Sequence, residues 1–249
     1  MSETPKTPHE PLSAYYASEK EKPNYLKQLF DTSADQYDRI LKYGFFGTGS
    51  AYRKRALARA GLQPGMRLLD VACGTGVVME QAAKTVPLER IVGLDPSVGM
   101  LEAARRKFPE ATFREGRAEK IPGEDNAFDF VSMGYALRHV ETLDAAFREY
   151  FRVLKPGGKV LILEISRPHS RTGYLAVKLY MKYFLPALTL VLSRDRRAYG
   201  MMRYFWDSIE ACASREDILR ALERSGFQEC RNDSELGIFS AFSGVKPRE

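Results

Sequence analysis

The residues best suited to bind a ligand lie where an apolar segment meets a glycine-rich turn. The sequence reads Leu-Leu-Asp-Val-Ala-Cys-Gly-Thr-Gly over residues 68–76, and a helix is expected from Val77. Backbone N–H groups at a helix start bind polar or anionic groups, and glycine keeps a Cβ from holding the ligand away. A dinucleotide fingerprint would carry a third glycine where this chain has Met79. The turn therefore indicates a nucleotide-type site and disfavours a nicotinamide oxidoreductase.

A second acidic residue, Asp95, ends the next apolar segment after Asp70. A carboxylate at this end of a strand can accept hydrogen bonds from both hydroxyls of an adenosine ribose. Taken alone, Asp95 is equally compatible with a helix cap or a turn. The glycine turn that precedes it makes ligand binding the better interpretation.

The elements that must position these residues alternate between short apolar runs and amphipathic segments from residue 67 onward. This alternation predicts a parallel sheet covered by helices on both faces. The expected strands are 67–71, 90–94, 111–114, 128–133 and 159–165, with closing strands near 227–232 and 238–244. Apolar residues at helical spacing over 143–154 predict a helix that Lys155-Pro-Gly-Gly ends, and Ser214 is expected to cap a later helix that Gly226 ends.

Two regions lie outside this alternation, a helical stretch at about 25–60 and the segment 172–206. Residues 175–192 of the second are apolar enough to raise the question of a transmembrane span. Lys178, Lys182 and Pro186 fall inside it, and central lysines are costly in hydrocarbon. We therefore predict a helical lid over a lipophilic substrate. A core helix without a ligand is the alternative, and contact with a membrane surface is compatible with either.

The cysteines and the charge distribution bear on metal binding, cellular location and nucleic-acid partners. Cys73, Cys212 and Cys230 lack zinc-ligand spacing, so we expect no metal site and a cytoplasmic setting. The formal net charge of +6 comes from basic and acidic residues that mostly alternate, so we expect no nucleic-acid partner. Residues 1–24 are expected to form a flexible N-terminal tail, and residues 25–249 a single domain.

Four motifs, in order, give the chain a family resemblance. They are Asp-x-Ala-Cys-Gly-Thr-Gly from 70, Leu-Asp-Pro-Ser-x-x-Met-Leu from 94, Gly-x-Ala-Glu-x-Ile-Pro from 116 and Arg-Val-Leu-Lys-Pro-Gly-Gly-x-Val-Leu-Ile-Leu-Glu from 152. Together they resemble class I S-adenosylmethionine-dependent methyltransferases. Asp-x-Tyr-Asp from 35, Ala-Leu-Arg-His-Val from 136 and Glu-Ile-Ser-Arg-Pro from 164 look most like the ubiquinone/menaquinone biosynthesis C-methyltransferase family. The resemblance then covers about residues 29–245.

The resemblance implies a doubly wound, Rossmann-like α/β fold with a seven-stranded, mostly parallel sheet and a helical lid. It implies S-adenosyl-L-methionine as the methyl donor and S-adenosyl-L-homocysteine as the product. The cofactor-binding residues that it implies are Asp70, Gly74, Thr75 and Gly76 at the methionine end, Asp95 at the ribose, Met100, Arg117 and Ala118 at the adenine, and Pro96 and Gly134 beside them. Two positions depart from the family pattern, since Arg117 stands where many members have Asp, and His139 where the quinone family reads Asn.

The candidate catalytic residues are Arg138, His139 and Tyr37. The expected acceptor is a quinone-like or prenylated lipophilic molecule, whose phenolic proton His139 would take while Arg138 stabilises the phenolate. The structural alternatives are an ion pair for Arg138, a helix cap for His139 and a core aromatic for Tyr37. Other acceptors remain open, namely an oxygen, a nitrogen or an alkene carbon of a secondary metabolite, isoprenoid or lipid, as does a non-catalytic partner protein. A homodimer is compatible with the sequence.

Overall fold

A sheet of seven strands organises the computed structural model, which describes residues 7–9, 11–18, 20–31, 48–168, 170–193 and 195–248. The strands are β1 (Leu68–Val71), β2 (Ile91–Asp95), β3 (Thr112–Glu115), β4 (Phe128–Gly134), β5 (Leu154–Ile165), β6 (Gln228–Glu235) and β7 (Phe239–Val245). Their order is β3-β2-β1-β4-β5-β7-β6, and β7 runs antiparallel to both of its neighbours. The predicted fold class is therefore confirmed.

Helices cover the sheet and extend beyond it. They are α1 (Lys22–Asp31), α2 (Thr48–Arg59), α3 (Val77–Ala82), α4 (Val98–Lys107), α5 (Leu143–Val153), α6 (Arg171–Lys178), α7 (Leu185–Ser193), α8 (Arg196–Ala211) and α9 (Arg215–Arg224). A π-helical turn, Leu179–Phe184, joins α6 to α7. The predicted cap of α9 is present, because the Ser214 hydroxyl accepts a hydrogen bond from the Asp217 N–H at 3.1 Å.

Side chains of successive strand residues point to opposite faces of the sheet, and this alternation divides the core. Leu69 and Val71 pack with the buried side of α5, whereas Leu68 packs with α2 and α3. The predicted core face of α5 is confirmed from Leu143 to Tyr150, whereas Phe151 is half-buried and Leu154 already belongs to β5. Strand β5 begins at Leu154, directly after α5 and five residues earlier than expected. The Lys155-Pro-Gly-Gly segment thus ends the helix but lies inside the strand.

A third apolar cluster lies outside the two faces of the sheet and joins α1, the segment from α6 to α7 and α8. Met181, Leu185, Met202 and Trp206 are among its buried members. Tyr16 is 4% exposed and packs in the same cluster. The described part of the expected flexible tail therefore packs against the domain, and residues 1–6, 10 and 19 lie outside the described residues.

Candidate functional site

A cavity of about 310 Å³ opens at the carboxyl ends of the first four strands. Residues that directly follow or end each strand line it, as expected for a ligand site in an open parallel sheet. Helix α1 covers the cavity on the other side. The predicted site residues among its lining are Gly74, Asp95, Pro96, Met100, Arg117, Ala118, Gly134, Arg138 and His139.

The glycine turn and the end of β2 are tied together by Asp95. One oxygen of its carboxylate, Oδ2, accepts a hydrogen bond from the Gly74 N–H at 2.8 Å, and Oδ1 accepts one from the Ser97 N–H at 2.8 Å. Burial raises the pKa of Asp95 to about 6, although these two N–H groups oppose the shift. Each carboxylate oxygen has a further acceptor position, so Asp95 can still bind hydroxyl groups.

The two glycines of the turn, Gly74 and Gly76, have different surroundings. Both have positive φ, but a Cβ at Gly74 would meet nothing within 4 Å, whereas one at Gly76 would come within 2.5 Å of the Phe108 ring. Gly74 therefore leaves room for a ligand. At Gly76 the structure shows a different need for glycine, because a Cβ there would clash with the Phe108 ring.

Asp70 and Thr75 are also buried behind the cavity and do not line it. The Oδ1 atom of Asp70 accepts a hydrogen bond from the Ser132 hydroxyl at 2.6 Å, while Oδ2 has no hydrogen-bond partner among the described residues. Burial raises the pKa of Asp70 to about 7, and the charge of Asp95 adds to the shift. Asp70 thus brings a second carboxylate of raised pKa close to the glycine turn.

The expected adenine end is lined by small and apolar groups. Met100 is 2% exposed and lies in the first turn of α4, where its N–H donates to the hydroxyl of the capping residue Ser97. Ala118 lies in the loop after β3, and its neighbour Arg117 extends outward to form an ion pair with Glu141 at 2.7 Å. The Arg117 side chain is therefore engaged at the rim.

Helix α1 supplies cavity residues that the sequence reading missed. Its last residue, Asp31, accepts hydrogen bonds from the Ser97 hydroxyl at 2.5 Å and the Gly99 N–H at 3.1 Å. Leu26 and Phe30 line the cavity between the two ends of the helix. The one available signal was Pro23, since proline in a first helical turn marks a helix start earlier than the expected residue 25.

Arg138 lies at the end of the cavity near α8 and is 3% exposed. Its Nη1 donates to Glu164 Oε1 and to the Tyr135 carbonyl, both at 2.6 Å, and its Nε donates to the Ser208 hydroxyl at 3.1 Å. Within the described residues, no hydrogen bond involves its Nη2. The ion-pair alternative for Arg138 is thus present in the structure, and it leaves one guanidinium nitrogen for another partner.

His139 lines the cavity beside Arg138 and is stacked on Tyr204, whose hydroxyl lies 3.1 Å from Nδ1. Its Nε2 is buried and has no hydrogen-bond partner in the described part of the chain. Burial, aided by the charges of Arg138 and Lys22, holds the pKa of His139 well below its usual value. The lowered pKa disfavours a charged imidazolium and therefore the proton-accepting role expected for His139. Tyr37 lies outside the described residues.

These features fit an adenosyl ligand: an open cradle at Gly74, a buried carboxylate at Asp95 and an apolar pocket at Met100. The family profile described as the ubiE/COQ5 methyltransferase family matches residues 18–246. The chain belongs to the ubiE/COQ5 methyltransferase family. It is thus a methyltransferase that uses S-adenosylmethionine.

Two curated proteins illustrate this membership. The methyltransferase is 32% identical over 244 residues to the demethylmenaquinone methyltransferase of Symbiobacterium thermophilum, covering 93% of this chain and 96% of that protein. It is also 32% identical over 230 residues to the ubiquinone/menaquinone biosynthesis C-methyltransferase UbiE of Campylobacter jejuni, covering 88% and 96%.

Solved structures agree on the fold. An S-adenosylmethionine-dependent methyltransferase from Thermotoga maritima superposes with a TM-score of 0.62 at 22% identity, covering 88% of this chain and 98% of that one. At this identity the likeness supports the fold alone.

Proposed function

We propose that the enzyme transfers the methyl group of S-adenosylmethionine to a ring carbon of a lipophilic, quinone-like or prenylated molecule. The observation that carries this proposal is the nearly full-length similarity to two proteins named for methyl transfer in quinone biosynthesis. The cavity supports it, because apolar side chains such as Leu26, Phe30 and Phe205 flank a polar end at Arg138 and His139. Such a lining suits a lipophilic ring that carries oxygen atoms.

We assign the donor end of the cavity by position. Asp95 would accept hydrogen bonds from the ribose hydroxyls, Met100 and Ala118 would enclose the adenine, and Gly74 would allow close approach of the methionine portion. Pro96 and Gly134 complete the walls, and Arg117 acts at the rim. Asp70, Thr75 and Gly76 would shape the turn from behind.

A bound S-adenosylmethionine supplies a methyl group that is already electrophilic, so this chain must mainly align the acceptor and exclude water. The sulfur–methyl bond of the bound donor would break as the bond to the ring carbon forms, and the proton that the ring carbon then loses would pass to solvent. Arg138 Nη2 would donate to a ring oxygen and stabilise negative charge there. Phe205, whose ring lies 5.4 Å from the Arg138 guanidinium carbon, would help to exclude water.

The protonation of His139 shapes its role. Because its pKa lies well below the usual value, the imidazole is neutral at pH 7 and can accept a hydrogen bond from an acceptor hydroxyl. The same neighbouring charges disfavour an imidazolium, so His139 polarises the hydroxyl more readily than it holds the proton. We therefore expect no limb from His139 near pH 6.5 in the pH profile of kcat at saturating S-adenosylmethionine.

The first experiment is calorimetric titration with S-adenosylmethionine and S-adenosylhomocysteine, with NADH as a control, repeated on Asp95→Ala. Mass spectrometry then follows methyl gain on reduced demethylated quinones, isoprenoid diphosphates and phenolic metabolites. Methyl gain on a quinone ring carbon supports the proposal. Methyl gain only on phenolic oxygens or isoprenoid alkenes would mean that the acceptor is a different molecule. Absence of adenosyl binding by the unaltered enzyme, or equal binding by Asp95→Ala, would contradict the assignment of the site.

A charge-matched pair of variants tests Arg138. Its removal alone leaves Glu164 as an uncompensated buried charge, so lost activity in a single variant would not separate fold from chemistry. The double variant Arg138→Gln with Glu164→Gln removes both charges. Retained S-adenosylmethionine affinity with a fall in kcat of about 10²-fold or more supports charge stabilisation, and unchanged kcat would assign Arg138 to structure only. His139→Asn, which restores the residue typical of the quinone family, is expected to keep most of the activity.

The location and partners of the enzyme follow from the same proposal. A lipophilic acceptor is stored in a bilayer, so we infer a cytoplasmic enzyme that meets a membrane surface peripherally. We expect no nucleic-acid partner, and sedimentation analysis will decide between a monomer and a homodimer.

A further inference from the structure

The helical segment from α6 through the π turn to α7, residues 171–193, is called the lid here. Within the described residues, one helix is long and apolar enough to cross a membrane, and it is Arg171–Val191 of the lid. Only 22% of its most apolar stretch is buried against the rest of the protein. The lid therefore presents much of its apolar surface to the surroundings.

The two lysines of the lid are turned toward the protein. Lys178 forms an ion pair with Glu210 at 2.8 Å, and Lys182 forms one with Asp207 at 3.2 Å. Both acidic residues belong to α8. The lysines that argued against a transmembrane segment are thus neutralised on the inner side. They also fasten the lid along α8, which a helix crossing a bilayer would not permit.

The opposite side of the lid forms a continuous stripe without charge. From Thr172 to Val191 exposed positions, single or in adjacent pairs, recur every three or four residues. They are Thr172, Leu175, Ala176, Leu179, Tyr183, Phe184, Ala187, Leu190 and Val191. The π turn ends at Phe184, and both Tyr183 and Phe184 are exposed. At 1.5 Å per residue the stripe is roughly 30 Å long. Leu179 is 62% exposed and Val191 74%.

Exposed basic residues stand at both ends of the stripe. Arg167 and Arg171 precede it, and Arg196 follows it. A long apolar stripe with cationic ends matches a bilayer surface, whose acyl region accepts the apolar side chains while anionic headgroups attract the arginines. The aromatic pair, Tyr183 and Phe184, is suited to the boundary between headgroups and acyl chains.

We propose that the outer stripe of the lid lies in the plane of an anionic phospholipid bilayer and docks the enzyme there. This inference deepens the peripheral location proposed above. It rests on the proposed function only for the reason why docking would help the enzyme, which is access to a lipophilic acceptor. The inner side of the lid packs on α8, whose Phe205 lines the cavity. A docked lid would hold the acceptor end of the cavity close to the lipid that dissolves the acceptor.

Vesicle flotation tests the proposal without any methyl acceptor, so its failure is separate from failure of the proposed reaction. The probes are vesicles of phosphatidylcholine with and without phosphatidylglycerol. Leu179→Glu is compared with Leu236→Glu, because Leu236 is 85% exposed but lies in the turn between β6 and β7. We expect Leu179→Glu to weaken binding to the anionic vesicles about tenfold or more, and Leu236→Glu to leave it unchanged.

Calorimetric affinity for S-adenosylmethionine verifies that each variant is folded. Absence of binding by the unaltered enzyme, or equal binding by Leu179→Glu, overturns the proposal. It is also overturned if Leu179→Glu instead dissociates a dimer in lipid-free sedimentation while vesicle binding persists, since the stripe would then be an interface between two copies.

A spectroscopic reporter measures docking directly. The native Trp206 is fully buried, so its emission will respond little to lipid, whereas Tyr183→Trp adds an indole in the middle of the stripe. We expect the emission of the variant to shift to shorter wavelength with anionic vesicles and to be quenched by brominated acyl chains. High salt and Arg171→Gln should reduce the response. Emission that changes neither with vesicles nor with the quencher would refute docking through the outer stripe of the lid.

Discussion

Replacing Asp70 with asparagine should make the stability of the ligand-free enzyme less dependent on pH. Asp70 is 1% exposed, and burial raises its pKa from 3.8 to about 7. A carboxyl group whose folded-state pKa is raised binds protons more tightly in the folded protein. Its contribution to stability is therefore fully present below pH 3.8 and is lost as the pH rises through 7.

The size of the effect follows from the shift. Between pH 5 and pH 8.5 the unfolded carboxyl is ionised throughout, while the folded one loses its proton near pH 7. The folded state therefore becomes less stable by about 2 to 3 kcal/mol across this window because of Asp70 alone. Asparagine keeps an oxygen that can accept the hydrogen bond from the Ser132 hydroxyl, and it carries no charge. The Asp70→Asn variant therefore does not lose this stability as the pH rises. The contribution of Asp95 is common to both proteins and largely cancels.

Guanidinium denaturation at pH 5 and pH 8.5, without cofactor, measures the difference. Relative to the unaltered enzyme, Asp70→Asn should gain about 2 to 3 kcal/mol between the two pH values. Glu149→Gln is the control, because the hydrogen bond from Arg152 lowers the pKa of Glu149 below 4.5 and its contribution is constant in this window. A constant difference between Asp70→Asn and the unaltered enzyme would show that the Asp70 carboxyl titrates normally and would refute the reasoning.

Three further predictions concern the same region. Gly76→Ala should lower the free energy of unfolding by about 1 to 3 kcal/mol because the new Cβ clashes with the Phe108 ring. Gly74→Ala should mainly weaken S-adenosylmethionine binding. Thermal unfolding and calorimetric titration of both variants will measure the two effects. Glu164→Gln should destabilise the fold by about 3 to 5 kcal/mol because it leaves the Arg138 charge unpaired, which denaturant unfolding will quantify. The affinity for S-adenosylmethionine should rise from pH 5 to pH 7, because Asp95, whose pKa is about 6, ionises in this range. A constant affinity in calorimetric titrations between these pH values would contradict the prediction.

The strands and the α5 helix could be predicted because their signals are local. Apolar runs for buried parallel strands and the helical spacing of α5 require no knowledge of distant partners. The observed bounds differ from the expected ones mainly at β5, where Leu154 already pairs with Phe128. Strand pairing over that distance is a tertiary contact, so the segment around the two glycines looked like a turn from sequence alone.

Site residues could be named from the motifs, but their environments could not. The ion pair between Arg138 and Glu164 joins residues 26 positions apart and exists because β5 passes beside the turn that follows β4. The pKa of His139 depends on burial and on Lys22 from α1, a helix whose start was expected three residues later. Glycine is required at position 76 because the Phe108 ring packs against it, and this contact could not be predicted from the local sequence. In each case a distant part of the chain decides the chemistry of a residue that the local sequence singles out.

The electrostatics of the two ends of the cavity differ in a way that suits a cationic donor. Asp70 and Asp95 are buried near one another with raised pKa values, so the ligand-free protein carries an unfavourable concentration of negative charge there. A ligand with a positive sulfonium near the turn would relieve this repulsion, whereas the product, whose sulfur is neutral after transfer, would relieve it less. At the acceptor end, Glu164 already balances Arg138. We therefore expect the same buried carboxylates that cost stability in the free enzyme to favour binding of the donor over the product, and to do so more strongly as the pH rises through 7.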